Sequence, residues 1–200
     1  MTIQSGAKVS TTPTAYPGEL ERDVTLKNGA RVHLRPIRPE DAPRLVAAYE
    51  RLSFQSAYQR FFTAVRRLPP DWARFLATVD YRRRLALIAE RPADGGMELL
   101  AVARYEPSQD DAPEVAFVVL DAWQNVGLGT ILFHALLDAA IARGIRQFRA
   151  YVLADNMRML DLINRFADVR ERRRDGAVLE LIFTPRSLLN APTAPAPVSG

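Results

Sequence analysis

The segment DAWQNVGLGT, residues 121–130, carries more structural information than any other part of the chain. It follows Glu114–Leu120, an apolar and β-branched run typical of a central strand that is covered on both faces. It precedes a helical repeat of apolar residues over Thr130–Arg143. Gly127 and Gly129 allow the backbone to turn tightly and to approach a ligand without an intervening Cβ. The free amides of the helix's first turn, backed by the positive end of the helix dipole, suit a phosphate or pyrophosphate.

Other phosphate-binding loops use the same physics with different residues. A Walker loop ends in Gly-Lys-Ser/Thr, which is absent here. A Rossmann fingerprint has three glycines near the first strand and an acidic residue about twenty positions later. This loop instead follows several predicted strands and lies beyond the middle of the chain. A glycine turn that only packs the strand against the helix is the structural alternative.

The rest of the chain predicts a mixed sheet. Asn28-Gly29, Asp94-Gly95-Gly96 and Asp175-Gly176 each have the composition of a turn between two strand-like segments. Helices are predicted from Pro39, from Ser53 and from Pro69, and a strand–helix alternation follows residue 114. Strand-like segments occupy Val24–Leu26, Arg31–Arg35, Leu85–Glu90, Met97–Tyr105, Glu114–Leu120, Phe148–Leu153, Val169–Arg173 and Ala177–Phe183. This order predicts an α/β (α+β) fold with six or seven strands and helices on both faces of the sheet.

Composition excludes several classes of protein. The 48% hydrophobic and 25% charged content is that of a globular domain, and no apolar run reaches the ~18 residues of a membrane span. The N-terminus has no apolar signal core, so we expect a cytoplasmic protein without a membrane partner. The chain has no cysteine, and His33 and His134 lie far apart, so no metal site is expected.

The positive charge does not indicate nucleic-acid binding. The 27 basic residues include only two lysines, Lys8 and Lys27, and the net charge is +4. Runs such as Arg82–Arg84 and Arg172–Arg174 lack the interleaved aromatic residues of a single-strand binding surface. A solvated arginine-rich surface therefore explains the charge, and no nucleic-acid partner is expected.

Residues 1–20 are predicted to be a flexible leader, residues 21–186 one domain, and residues 187–200 a disordered Pro/Ala-rich tail.

Gln124-x-x-Gly127-x-Gly129 after an apolar strand resembles the loop with which the GNAT acetyltransferase superfamily holds the pyrophosphate of coenzyme A. Across roughly residues 16–184 the chain is similar to the catalytic domain of bacterial Pat-type protein lysine acetyltransferases. The similar segments are Tyr16-Pro17, Leu34–Ile37, Pro39–Asp41, Leu52-Ser53, Tyr58–Phe62, Glu114–Val118, Val152–Asn156 and Met159-Leu160.

This resemblance implies the GNAT fold and acetyl-CoA as co-substrate, without a metal. It implies transfer of acetyl to a protein lysine, for which an acyl-CoA synthetase is a candidate, by a monomer or homodimer. Glu114 matches the general base of similar lysine acetyltransferases. The implied cofactor-binding residues are Phe117, Val118, Val119, Gln124, Asn125, Val126, Gly127, Leu128, Gly129, Thr130 and Asn156. In related enzymes the strand parts from its neighbour near Phe117–Val119, and the exposed amides pair with pantetheine and the thioester.

The chain departs from the family pattern in two respects. Many GNAT enzymes have a tyrosine seven residues after the asparagine that matches Asn156, acting as general acid, whereas this chain has Ile163. Many relatives also carry a cyclic-nucleotide-binding or acyl-CoA-synthetase-like domain, which residues 1–20 and 187–200 are too short to hold. Two other functions remain open: acetylation of a small amine or a protein N-terminus, and non-catalytic binding of acetyl-CoA by a sensor or interaction module.

Overall fold

The computed structural model describes residues 15–62 and 67–189 and contains one mixed sheet of eight strands. The strands are β1 (Arg22–Thr25), β2 (Arg31–Pro36), β3 (Leu85–Ala93), β4 (Gly96–Glu106), β5 (Glu114–Val119), β6 (Phe148–Leu153), β7 (Ala167–Asp175) and β8 (Val178–Pro185). The helices are α1 (Ala42–Glu50), α2 (Phe54–Phe61), α3 (Pro70–Ala77), α4 (Leu128–Ala142), α5 (Met157–Phe166) and α6 (Arg186–Leu189). Short 3₁₀ turns cover Gly18–Leu20, Pro39–Asp41 and Asp121–Trp123.

The strand order is β1-β2-β3-β4-β5-β6-β8-β7, and β5 and β6 are the parallel pair in an otherwise antiparallel sheet. The predicted mixed sheet with flanking helices is confirmed, but the number of strands is eight and not six or seven. The short β1 and the arginine-rich β7 are the two edge strands. Edge strands tolerate charge and little burial, so their composition resembles that of a loop.

Helices cover the two faces of β5 differently. Because side chains alternate along a strand, Phe117 points opposite to Ala116 and Val118. The Phe117 ring packs against Phe133 of α4, with centroids 5.1 Å apart. Ala116 and Val118 face the layer formed by α1, α2 and α3. β5 therefore lies between the two helical layers.

The predicted helix ends are present. The Ser53 Oγ accepts a hydrogen bond from the Ser56 amide at the start of α2, and the Asn156 Oδ1 accepts one from the Met159 amide at the start of α5. Gly144 has the left-handed φ of +86° just after α4. The helix α4 begins at Leu128, two residues earlier than predicted, so the preceding loop is shorter than the sequence suggested.

A buried ion network joins α1 to the sheet. The Arg35 guanidinium on β2 donates to both carboxylate oxygens of Asp41, each at 2.7 Å, and to Glu90 of β3 at 2.8 and 3.0 Å. Arg44 of α1 lies 2.7 Å from each of the same two carboxylates. This network gives a physical role to Arg35 and Asp41 in the segments Leu34–Ile37 and Pro39–Asp41.

The ordered domain begins before residue 21, where the sequence placed its start. The Tyr16 phenol donates to Glu21 at 2.5 Å, and its ring meets the edge of Tyr81 at a centroid distance of 5.6 Å. Residues 15–20 are therefore part of the domain. At the other end, the helix α6 continues through residue 189, within the segment predicted as tail. Residues 1–14 and 190–200 lie outside the described residues. No helix in the described part of the chain is long and apolar enough to cross a membrane.

Candidate active site

A cleft of about 400 Å³ opens where β5 and β6 part. These two parallel strands share one ladder position, Glu114 opposite Arg149, whereas β5 and β4 pair along all of β5. The edge of β5 at Phe117–Val119 therefore faces the cleft, as the resemblance implied. The volume lies within the ~300–1,000 Å³ typical of small-molecule sites. A ligand with amide groups can pair with such an open strand edge.

The loop before α4 closes one end of the cleft. Asn125 and Gly127 have left-handed φ angles of +65° and +90°, which reverse the chain just before the helix. A Cβ at Gly127 would also meet the aliphatic part of the Lys27 side chain at 3.4 Å. Gly129 and Thr130, in the first turn of α4, line the cleft. The free amides at the start of α4 and the helix dipole favour an anion at this end.

Nine of the eleven predicted cofactor-binding residues line the cleft, and Val126 and Leu128 do not. Leu128 is fully buried in the core, and Val126 packs against the core while its carbonyl accepts the Lys27 amide at 3.1 Å. Both side chains point away from the cleft because they fix the loop to the domain. The nine that line it are Phe117, Val118, Val119, Gln124, Asn125, Gly127, Gly129, Thr130 and Asn156.

The central strand is less covered than its composition predicted. Ala116–Val119 are half-buried, although the sequence indicated a strand covered on both faces. The cleft runs along these residues, so their apolar side chains form its wall.

Gln124 binds neighbouring protein groups through its side chain. Its Nε2 donates to the Ser56 Oγ and to the Val119 carbonyl, both at 3.1 Å, and its Oε1 accepts a hydrogen bond from Arg158. The side chain thus connects the end of β5 with α2 and α5. Gln124 contributes to the loop mainly by holding these elements in place.

Asp121 also holds α2 at the loop. Its carboxylate accepts hydrogen bonds from the Ser53 amide at 2.9 Å, the Ser53 Oγ at 2.7 Å and the Ser56 Oγ at 2.8 Å. Burial alone would raise the pKa of Asp121, but these hydrogen bonds outweigh it and lower the pKa below its usual range. The carboxylate is therefore ionised and fixes the start of α2.

Glu114 lies at the other end of the cleft. It is half-buried, with Glu106 of β4 and Arg149 of β6 as its cross-strand neighbours. Burial raises the pKa of Glu114 above the usual carboxyl range, the nearby Arg60 opposes this, and Glu106 adds to it. A carboxylate with a raised pKa is a stronger proton acceptor, which suits a general base.

Several residues of the cleft could not be predicted from the sequence. Lys27, Ser56, Gln59, Arg60 and Tyr151 come from the turn after β1, from α2 and from β6. No spacing relates these segments to the loop at 121–130. Arg60 lies within Tyr58–Phe62, a segment that resembles the Pat-type enzymes, and this resemblance was the available indication that it belongs to the site.

Arg158 and Arg165 of α5 also line the cleft, and both residues are exposed to solvent. Ile163, at the family's tyrosine position, is fully buried, so this position supplies no proton donor. Among the described residues, no group of three or more histidine, cysteine, aspartate or glutamate side chains is placed to hold a metal ion.

Comparison with protein families and curated proteins identifies relatives across most of the chain. A family model described as an acetyltransferase (GNAT) domain matches residues 31–166. The acetyltransferase Pat of Mycolicibacterium smegmatis is 32% identical over 164 residues, which cover 81% of this chain and 48% of that protein. An acetyltransferase of Pseudomonas aeruginosa is 30% identical over 152 residues, which cover 76% of this chain and 82% of that protein. The chain thus spans about half the length of the mycobacterial relative.

Comparison with solved structures identifies the same family. The GNAT domain of the S. lividans protein PAT is 34% identical, with a TM-score of 0.73, and the match covers 84% of this chain and 99% of that domain. A cAMP-binding acyltransferase from Mycobacterium smegmatis is 29% identical, with a TM-score of 0.56. That match covers 82% of this chain and 47% of the mycobacterial protein.

Proposed function

The chain belongs to the GNAT acetyltransferase family, and from this premise we propose that it moves acetyl from acetyl-CoA to the side-chain amine of a protein lysine. Acetyl transfer is the reaction of the family, and its members use acetyl-CoA. The lysine acceptor and the role of Glu114 as general base are the specific parts of the proposal.

The observation that carries the proposal is that one cleft joins the N-terminus of α4, which suits an anion, to a half-buried carboxyl group. The pyrophosphate of acetyl-CoA would lie at Gly127 and the first turn of α4. The pantetheine arm would run along the edge of β5 at Phe117–Val119, which places the thioester near Val118. The acceptor amine would then approach from the side of Glu114.

The chemistry follows from these positions. A lysine amine with a pKa of about 10.4 is protonated near pH 7, so it must lose a proton before it can attack. Glu114 accepts that proton, directly or through a water molecule, and the nitrogen forms a bond to the thioester carbonyl carbon. A backbone amide near Val118 donates to the developing oxyanion. The carbon–sulfur bond then breaks, CoA leaves as a thiolate, and the second proton that the nitrogen loses passes to this thiolate or to solvent.

The leaving group does not require a positioned acid. An ordinary thiol has a pKa of about 8.5, so the thiolate is a far better leaving group than an alkoxide or an amide anion. The fully buried Ile163 at the family's tyrosine position is compatible with such unassisted departure.

Exposed aromatic side chains on the face of α2 turned away from the cleft favour a protein acceptor over a small amine. Phe54 is 72% exposed and stacks on the exposed Tyr58, with ring centroids 6.1 Å apart. Both belong to α2, which also contributes Ser56, Gln59 and Arg60 to the cleft. The two rings do not line the cleft themselves, but large exposed apolar groups on an element that does are typical of surfaces that contact another protein.

The test is transfer of labelled acetyl from acetyl-CoA to the proteins of a bacterial lysate, followed by mass spectrometry, with an acyl-CoA synthetase as the first purified acceptor. We expect new acetyl groups on lysine Nε atoms with the natural protein and far fewer with Glu114→Gln. Label found only on protein N-termini or on small amines would reject the lysine acceptor. Binding of acetyl-CoA without transfer to any acceptor would favour the sensor function.

A further inference from the structure

A second, apolar cavity of about 50 Å³ lies behind the cleft, between β4–β5 and the layer of α1, α2 and α3. Its walls are mainly aliphatic and include Leu45 and Ala48 of α1, Leu52 just after that helix, and Val102 of β4. By the same measure one water molecule needs ~10–15 Å³, so the cavity has room for roughly three to five atoms of that size.

The two cavities meet at the wall formed by β5. Ala116, Val118 and Arg60 line both of them. Ala116 and Val118 lie on the same face of the strand as Glu114, because side chains at alternate positions share a face. The apolar cavity therefore begins beside the position where the proposed function places the thioester.

The polar groups in this cavity have other partners or lie at its junction with the cleft. Arg104 is almost fully buried; it donates to Glu106 and, at 3.1 Å, to the Leu76 carbonyl. Arg60 lies where the two cavities meet and interacts electrostatically with Glu114. Apart from Tyr49, which carries a hydroxyl group, the other wall residues are apolar, and cavities with mainly apolar walls tend to stay dry and to accept apolar ligands.

We infer that this cavity receives the acyl chain of the donor, so that the protein uses short acyl-CoA thioesters of three or four carbons as well as acetyl-CoA. This inference rests on the proposed function. The reaction is the same: a nitrogen–carbon bond forms, the carbon–sulfur bond breaks, and the amine proton passes to Glu114. No additional reactant is needed.

The affinity of the donor should depend on chain length. Each methylene moved from water into an apolar site contributes about 0.8 kcal/mol, equivalent to roughly fourfold in affinity. We expect propionyl-CoA and butyryl-CoA to bind at least as tightly as acetyl-CoA and up to about fourfold more tightly per added methylene. Hexanoyl-CoA exceeds the room available and should bind more weakly than butyryl-CoA.

The test is calorimetric titration of the full chain with these four thioesters, which needs no acceptor. Ala48→Leu fills the cavity from α1 and should remove the gain for propionyl-CoA and butyryl-CoA while leaving acetyl-CoA affinity unchanged. Ala47→Leu is the matched control, because Ala47 is exposed on the same helix and should leave all four affinities unchanged. Leu52→Phe fills the cavity from a half-exposed position and provides the same test if Ala48→Leu fails to fold.

The outcomes separate the two proposals. Binding of acetyl-CoA with at least tenfold weaker binding of propionyl-CoA would overturn the inference and leave the proposed function intact. A gain for propionyl-CoA that persists in both filling variants would also overturn it, because the chain would then lie elsewhere. Failure of all four thioesters to bind would overturn the proposed function together with the inference.

Discussion

At the scale of single residues, Gly127 has both a backbone conformation that favours glycine and a position next to the proposed pyrophosphate site. Its φ of +90° suits glycine, and a side chain there would enter the space beside Lys27 and the first turn of α4. The sequence predicted this position from the loop pattern alone, because a tight turn before a helix requires a residue without a Cβ.

We predict that Gly127→Glu abolishes the thermal stabilisation that acetyl-CoA gives the natural protein, since it places bulk and negative charge where the pyrophosphate would lie. Gly95→Glu is the matched control: Gly95 has a φ of +91° with open space around it, in the turn between β3 and β4. Both variants should lose roughly 1–2 kcal/mol of stability from backbone strain. Differential scanning fluorimetry with and without acetyl-CoA measures the shift; an undiminished shift in Gly127→Glu would mean that the loop is only structural.

The structure also separates two carboxylates that are equivalent in sequence. Asp110 and Asp111 precede Glu114 in the same loop, but Asp110 binds Arg149, the cross-strand neighbour of Glu114. Asp111 is exposed and is therefore the better control in tests of Glu114. Long-range pairs such as Asp110 with Arg149 cannot be predicted from local sequence, because they depend on which strands become neighbours.

At the scale of elements, most strands and helices were predictable because local signals agree with the tertiary structure. Asn28-Gly29 and Asp175-Gly176 form the predicted turns, and Ser53 and Asn156 cap the predicted helices. The predicted count of six or seven strands was lower than the eight strand-like segments of the sequence, and all eight join the sheet, including β7, whose last six residues are all exposed. Hydrophobic periodicity indicates strands that bury one face and gives little signal for an exposed edge.

The buried ion network around Arg35 joins α1 to the sheet, and its contribution to the stability of the protein can be predicted. Removing one member of a buried ion network typically costs ~3–5 kcal/mol, because the remaining charges stay buried without a partner. We therefore expect Arg35→Ala to lower the free energy of unfolding by that amount. Arg74→Ala, which removes the exposed pair with Asp71, should change it by about 1 kcal/mol or less. Urea unfolding measures both values, and equal effects of the two substitutions would contradict the account.

At the scale of the whole molecule, the sequence predicted one wall of the cleft and missed the other. The wall formed by β5 and the loop is continuous in sequence, so its motif is visible there. The facing wall comes from α2, which lies more than fifty residues earlier and is held at the loop by Asp121 and Gln124. The three-dimensional contact between these two segments was therefore required to identify Arg60 as a neighbour of Glu114.

The central proposal for the cleft is that Glu114 accepts the proton of an amine, which attacks a thioester held by the loop and β5. Burial raises the pKa of Glu114, so the natural protein should lose activity on acidification at a higher pH than an ordinary glutamate would dictate. Below that pKa the carboxyl group is protonated and cannot accept a proton; above it the base is available.

The most direct test is the transfer rate to a lysine-bearing protein, measured from pH 6 to 10 for the natural protein, Glu114→Gln and Asp111→Asn. We predict that Glu114→Gln lowers kcat by about 10²–10⁴-fold near pH 7 while its affinity for acetyl-CoA stays nearly the same. Part of the rate should return toward pH 10, where more of the acceptor lysine, with its pKa of about 10.4, is already neutral. Asp111→Asn should behave like the natural protein. Full kcat in Glu114→Gln at pH 7 would contradict the claim and place the base elsewhere.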